Sequence, residues 1–212
     1  SILIAAAALT LASACNSTNK NEMAENPFLA PYETPYEIPP FDEISYGHYL
    51  PALDSGIAQK KAQILEIVSN PDSATFENTI MTLEHSGEIL DKVAYVFFAL
   101  DESNSSPEMV EIAEKFYPAY SQFADEMTMN DSLFARIKTV YDNRESLDPD
   151  QKRAVEDYYK AFTRNGALLS PEKKEELNAV NTELAELYLT FNKNLLNATN
   201  AFEIVVNDST EL

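Results

Sequence analysis

The chain has 212 residues, 45% of them hydrophobic, which is enough for one packed domain with an appended segment. Four glycines and no tryptophan, with few β-branched runs, favour helices over a turn-rich sheet fold. Thirty-five acidic residues against 15 basic ones give a formal charge of −20, which excludes nucleic acid and docking on an anionic membrane through a basic face.

The first fourteen residues, Ser-Ile-Leu-Ile-Ala-Ala-Ala-Ala-Leu-Thr-Leu-Ala-Ser-Ala, are apolar, too short to span a bilayer, and of the size of a secretory signal core. Ala12, Ser13 and Ala14 immediately precede Cys15. This resembles the lipobox of bacterial lipoproteins, where the signal is cut before the cysteine and the thiol is acylated. Leu11 lies four positions before Cys15, whereas that box usually carries leucine three before. As the single cysteine, Cys15 has no partner for an internal disulfide. The expectation is a partial signal peptide over 1–14, then a lipidated Cys15 and a polar tether over 15–26. The protein would be exported and held to a bacterial membrane, on the periplasmic or cell-surface face, through the lipid alone. No initiator Met or basic stretch precedes the apolar run, and the chain stops just after a strand-like run, so both ends are expected to be cut.

A domain is expected over 27–212. Five prolines within residues 27–40 forbid a helix there and predict an extended arm, laid on the domain by Phe28, Leu29, Tyr32, Tyr36 and Ile38. Leu50, Leu53, Ile57, Ile64 and Ile67 mark a first helix over 50–69. A second is predicted over 75–102, with Thr75 as its N-cap and Phe76, Ile80, Leu83, Gly87, Leu90, Val93, Phe97 and Leu100 in step. Its stretch 93–100 is apolar throughout, more than one face can hide. With Leu90, Val93, Phe97 and Leu100 turned inward, Tyr95 and Phe98 form an apolar back face. That face is either wrapped by other helices of the chain or meets polypeptide outside it.

Three further helices share one start signal: Ser106-Pro107-Glu108, Asp148-Pro149-Asp150 and Ser170-Pro171-Glu172. The cap oxygen takes an orphan N–H, proline has none to orphan, and the acid complements the helix dipole. Pro118 should kink the first of them. Another helix over 131–143 is capped by Asn130, and Gly166 is a natural stop for the helix begun at Asp148. The last helix is long, about 171–197, with Leu177, Val180, Leu184, Leu187, Phe191 and Leu195 in register. Residues 201–207 alternate and read as strand, without a partner earlier in the chain. The fold class is all-α, with about six helices and a short strand-like segment near the C-terminus.

Chemistry is sparse. A catalytic zinc site needs three nitrogen, oxygen or sulfur ligands, commonly two His at i and i+4. His48 and His85 are the only histidines and make no H-E-x-x-H, so both read as packing or surface residues. His85-Ser86 invites a triad, but adjacent helical residues point to different faces. No phosphate-binding glycine loop occurs, and carboxylate pairs are unavoidable in so acidic a chain. No catalytic and no metal-ligating residue is assigned; Cys15 is the one site residue, for lipidation.

Several phrases resemble the thimet oligopeptidase and dipeptidyl carboxypeptidase family of zinc metallopeptidases. They begin with Pro39-Pro40-Phe41-Asp42-Glu43-Ile44, His48-Tyr49-Leu50-Pro51-Ala52-Leu53 and Gly56-Ile57-Ala58. Thr75-Phe76-Glu77-Asn78-Thr79-Ile80, Leu83-Glu84 and Leu133-Phe134-Ala135-Arg136-Ile137 follow in the family's order. Tyr158-Tyr159-Lys160-Ala161-Phe162, Gly166-Ala167-Leu168-Leu169-Ser170 and Thr199-Asn200-Ala201-Phe202 complete the set. The proline-rich arm is more similar to the dipeptidyl carboxypeptidase branch than to oligopeptidase A, while Tyr46-Gly47 stands where relatives usually carry an acid.

The resemblance implies a parent peptidyl-dipeptidase or oligopeptidase whose two helical halves enclose a channel for short peptides. This chain would be its N-terminal helical portion and form a channel wall. Zinc, held by H-E-x-x-H and a further Glu, would belong to a missing C-terminal catalytic half, the chain's expected partner. The 212 residues alone are then expected to be inactive, with no cofactor of their own. The alternative is a stand-alone, non-catalytic helical lipoprotein that binds peptides or protein partners.

Overall fold

The computed structural model describes residues 26–205 and Thr210. Six long helices carry the fold: α1 Tyr49–Ser69, α2 Glu88–Ser103, α3 Pro107–Thr128, α4 Asp131–Asp142, α5 Pro149–Arg164 and α6 Pro171–Ala201. Their starts follow local chemistry. The side chains of Ser106, Asn130, Asp148 and Ser170 accept from backbone N–H groups in the first turns of α3, α4, α5 and α6. Each such cap is worth about 1 kcal/mol. α3 passes through Pro118 without interruption.

The predicted helix over 75–102 is two elements. Thr75 caps a π-helical turn, Phe76–Met81, which runs on through Thr82–Glu84. In a reciprocal box, the Thr75 hydroxyl accepts from Asn78 N at 3.1 Å and Thr75 N donates to Asn78 Oδ1 at 2.8 Å. The chain then turns at Gly87, whose φ of 81° is left-handed and costs glycine little. Gly87 brings no capping side chain to α2. Two glutamines of α1 supply it: Gln63 Oε1 accepts from Gly87 N at 2.8 Å and Gln59 Oε1 from Ile89 N at 3.5 Å.

α1 lies directly on α2, with Gly56 against the backbone of Leu90. α3 packs on both, α4 pairs with α5, and the π-helical segment bridges to α4 and α5. The core between these layers has an aromatic spine. Phe28, Tyr49 and Phe97 touch with ring centroids 5.5 and 5.6 Å apart, and Phe97 stacks on Phe116 at 4.0 Å. Such pairs contribute about 0.5–1.5 kcal/mol each beyond their buried area. A second group, Phe134, Tyr141, Tyr159 and Phe162, joins α4 to α5, with Tyr141 and Tyr159 stacked at 3.9 Å.

The proline-rich arm is not uniformly extended, because 3₁₀ turns occupy Pro27–Leu29 and Pro35–Glu37. Phe28 is fully buried, and Leu29 and Tyr32 pack on the core as expected. Tyr36 and Ile38 do not; both are exposed. Tyr36 and Glu37 take positive φ in this turn, which swings Tyr36 into solvent.

The apolar run of α2 divides. Leu90, Val93 and Phe97 are buried as expected, and Leu100 is half-buried. Phe98 is half-buried too, stacked on Tyr117 of α3 at 5.5 Å, whereas Tyr95 is 74% exposed. The back face is therefore wrapped at Phe98 and open at Tyr95.

The strand-like reading of 201–207 fails where it is visible. Residues 202–205 form no strand, and among the described residues no strand exists to pair with them. Alternation is a weak signal without a partner ladder, since a lone strand leaves its backbone groups unpaired. Positions 206 and 207 lie outside the described residues.

Candidate functional site

Four of the phrases that carry the resemblance, those holding Asn78, Glu84, Arg136 and Tyr158, meet around the π-helical segment and its continuation. Arg136 of α4 donates through Nη1 to the carbonyls of Asn70 and Asp72 at 3.0 and 3.2 Å. Its Nη2 donates to Asn78 Oδ1 at 3.0 Å. The Asn78 amide in turn donates to Ser73 O at 3.0 Å and its oxygen accepts from Thr79 Oγ1 at 2.9 Å. Nearby, the Tyr158 hydroxyl of α5 donates to the Glu84 carboxylate. Burial first, and then that hydrogen bond, push the Tyr158 phenol well above its ordinary range. Tyr158 is thus fixed as a donor, not a base. Asp91 is also held above the usual carboxylate range by its burial, a shift that Lys60 opposes.

This cluster fastens helices together; it offers no nucleophile with a base beside it. Ser86 is buried and its hydroxyl donates back to Leu83 O, while the His85 ring bonds Met81 O at 2.7 Å. Each therefore turns to its own stretch of backbone, which removes the triad reading. His48 Nδ1 accepts from Ser45 N at 3.1 Å and closes the turn before α1. Both histidine rings are thus bonded to nearby backbone groups.

Two shallow surface grooves accompany this cluster. One, of about 360 Å³, lies between α1 and the π-helical segment and is lined by Gln63, Glu66, Glu77, Met81, Thr82 and His85. The other, of about 330 Å³, lies between α1 and α3 over Ile64, Val68, Phe123 and Met127. At its rim Lys61 pairs with Glu126 and lies 5.9 Å from the Phe123 ring centroid. Among the described residues no three His, Cys, Asp or Glu side chains gather so as to hold a metal ion. No helix among them is long and apolar enough to cross a membrane. Cys15, the lipidation candidate, lies outside the described residues.

The feature that sequence reasoning did not anticipate is the exposure of α6. Its 31 residues include none that is buried. Val180, Leu184, Leu187, Phe191 and Leu195, though in register as predicted, are all more than half exposed. The helix rests on α3 by a neighbouring flank. There Asn181 Nδ2 donates to Asp125 Oδ1 at 2.9 Å, Leu189 is partly buried, and Lys193 pairs with Glu114 at 3.7 Å. At its start Lys174 reaches Asp131 and donates to Met129 O at 2.9 Å.

No protein-family model matches the chain. Individual proteins do. The dipeptidyl carboxypeptidase of Escherichia coli (strain K12) is 41% identical over 189 residues, covering 88% of this chain and 28% of that protein. The dipeptidyl carboxypeptidase of Salmonella typhimurium is 37% identical over the same shares. Oligopeptidase A of Escherichia coli is 27% identical over 88% of the chain and 27% of its own length. The chain thus spans little more than a quarter of these curated relatives. Over most of its length this helical chain is a homologue of the dipeptidyl carboxypeptidases and oligopeptidases A.

Proposed function

We propose that the chain is the helical portion of a zinc-dependent peptidase of the dipeptidyl carboxypeptidase type, which hydrolyses short peptides. In it this portion builds one wall of the substrate channel. The observation that carries the reading is the 41% identity to a dipeptidyl carboxypeptidase across 88% of the chain. Zinc does not fit the residues described here. His48 and His85 are engaged with separate backbone groups, and among the described residues neither belongs to a group of three His, Cys, Asp or Glu side chains placed to hold a metal ion. The metal and the water it would activate belong to residues outside these 212, and no catalytic step runs through this chain's own side chains. Its contribution is a preformed frame: Arg136, Asn78, Glu84 and Tyr158 lock the π-helical segment to α4 and α5. We further propose that Cys15 carries a lipid that holds the exported protein to a bacterial membrane; the apolar run and small residues before it support this.

The test compares two proteins. Expressed from its complete gene, the protein should cleave short peptides and lose that activity to a chelator. The 212-residue chain, washed with chelator and reloaded with zinc, should hold no stoichiometric metal and cleave nothing. One tightly held zinc per 212-residue chain would refute the assignment of the metal elsewhere. A complete protein without peptidase activity would favour a non-catalytic lipoprotein.

A further inference from the structure

We infer that the open apolar stripe of α6 is an intramolecular seam. Its occupant is polypeptide of the same protein, corresponding to the part of the relatives that this chain does not span. The inference rests on the peptidase reading for the identity of that polypeptide.

The stripe is built, not incidental. At about 100° per residue, Val180, Leu184, Leu187, Tyr188, Phe191 and Leu195 fall on one arc about 100° wide, the pattern of a helix that buries one face. The same rotation puts Asn181, Ala185 and Leu189 on the adjoining arc, and these are the partly buried positions that face α3. α6 therefore touches this domain with its flank and turns its apolar face away. Phe202, Ile204 and Val205 continue the exposed apolar surface past the helix end. Every other long helix buries apolar side chains in the common core. A contiguous apolar patch of this extent marks an interaction surface.

Two observations select the occupant. The relatives match this chain over 88% of its length, yet nearly three-quarters of their own length lies outside the match. A polypeptide more than twice this chain's size is thus available to them in cis. A second copy is disfavoured, because each chain carries a charge of −20 and two would repel on approach.

Thiol labelling tests this in a Cys15→Ser background. Leu187→Cys and Phe191→Cys report the stripe, and Glu186→Cys reports the opposite side of the same helix. Circular dichroism confirms that each variant keeps its helicity. In the 212-residue chain all three sites should label at similar rates. In the protein expressed from its complete gene, the two stripe sites should label at least about tenfold more slowly, with Glu186→Cys unchanged. Equal rates in the two proteins would overturn the inference. So would stripe sites already slow in the 212-residue chain, whether a second copy or residues 1–14 cover them. A gene that stops at residue 212 would do the same. Peptidase assays on the same samples separate the claims. A protected stripe without activity refutes the peptidase reading alone, and activity with a freely labelled stripe refutes the seam alone.

Discussion

Arg136 of α4 donates to the side-chain oxygen of Asn78 at 3.0 Å, across 58 positions of sequence. The same guanidinium holds the carbonyls of Asn70 and Asp72, so one side chain closes the loop between α1 and the π-helical segment. Hydrogen bonds to a charged group contribute about 1.5–3 kcal/mol, and two of the three here are partly buried. Arg136→Met should therefore lower unfolding free energy by about 2–3 kcal/mol. Amide exchange at residues 75–79 should quicken before the rest of the fold responds. Unchanged exchange there would show that the Thr75–Asn78 box holds the loop unaided.

Gly56 gives the opposite kind of test, in which an atom is added. A Cβ there would lie 2.6 Å from Leu90 N and 2.7 Å from Leu90 Cα, and backbone cannot swing aside as a side chain can. Replacing a helix-interior glycine by alanine ordinarily gains about 1 kcal/mol, whereas overpacking a tight contact costs about 1–3 kcal/mol. The clash should win, so Gly56→Ala lowers the thermal midpoint. A raised midpoint would mean that α1 and α2 separate without cost.

Alkaline titration follows from two phenols. Tyr117 donates to Asp101 at 2.9 Å and Tyr158 donates to Glu84; burial is the larger cause that raises both. A folded-state value above the unfolded 10.0 means that the native state holds these protons more tightly. Their stabilising contribution is complete below about pH 10 and is lost as pH climbs through the raised values. Absorbance at 295 nm should show a late class of tyrosines that ionises only with unfolding. Tyr117→Phe and Tyr158→Phe should each remove one residue from it. A titration in which neither variant shortens the late phase would contradict the assignment.

The proposed membrane attachment turns on one thiol, that of Cys15. Exported behind a complete signal, the protein should partition with membranes, and Cys15→Ala should release it. Persistent membrane partition of Cys15→Ala would remove the lipid anchor from the account.

Much of this architecture was legible in short-range chemistry. Ser106, Asn130, Asp148 and Ser170 were named as caps because a cap acts within three residues of itself, and each accepts the predicted kind of bond. The break at Gly87 escaped notice because the apolar spacing from Leu83 to Leu90 carries straight across it. What caps α2 is Gln63, 24 residues away, and no local pattern can show that. The clamp between Arg136 and Asn78 was hidden for the same reason, although both residues stood in phrases that resembled the family. For α6 the sequence revealed the apolar stripe but not which way it faces. Periodicity identifies a face to be covered and says nothing of whether the cover lies within the same domain.

Asn26 has a consequence for how far the molecule ranges. Its side-chain amide donates to His48 O at 2.9 Å and its oxygen accepts from Phe28 N at 3.1 Å, with Phe28 sunk in the core beside it. The first of the described residues is thus riveted to the turn that opens α1. If Cys15 bears the lipid, ten residues, 16–25, separate it from Asn26. At about 3.3–3.6 Å per residue, a fully drawn chain of that length reaches roughly 35 Å. A lipid at Cys15 would then keep Asn26 within roughly 35 Å of the bilayer surface.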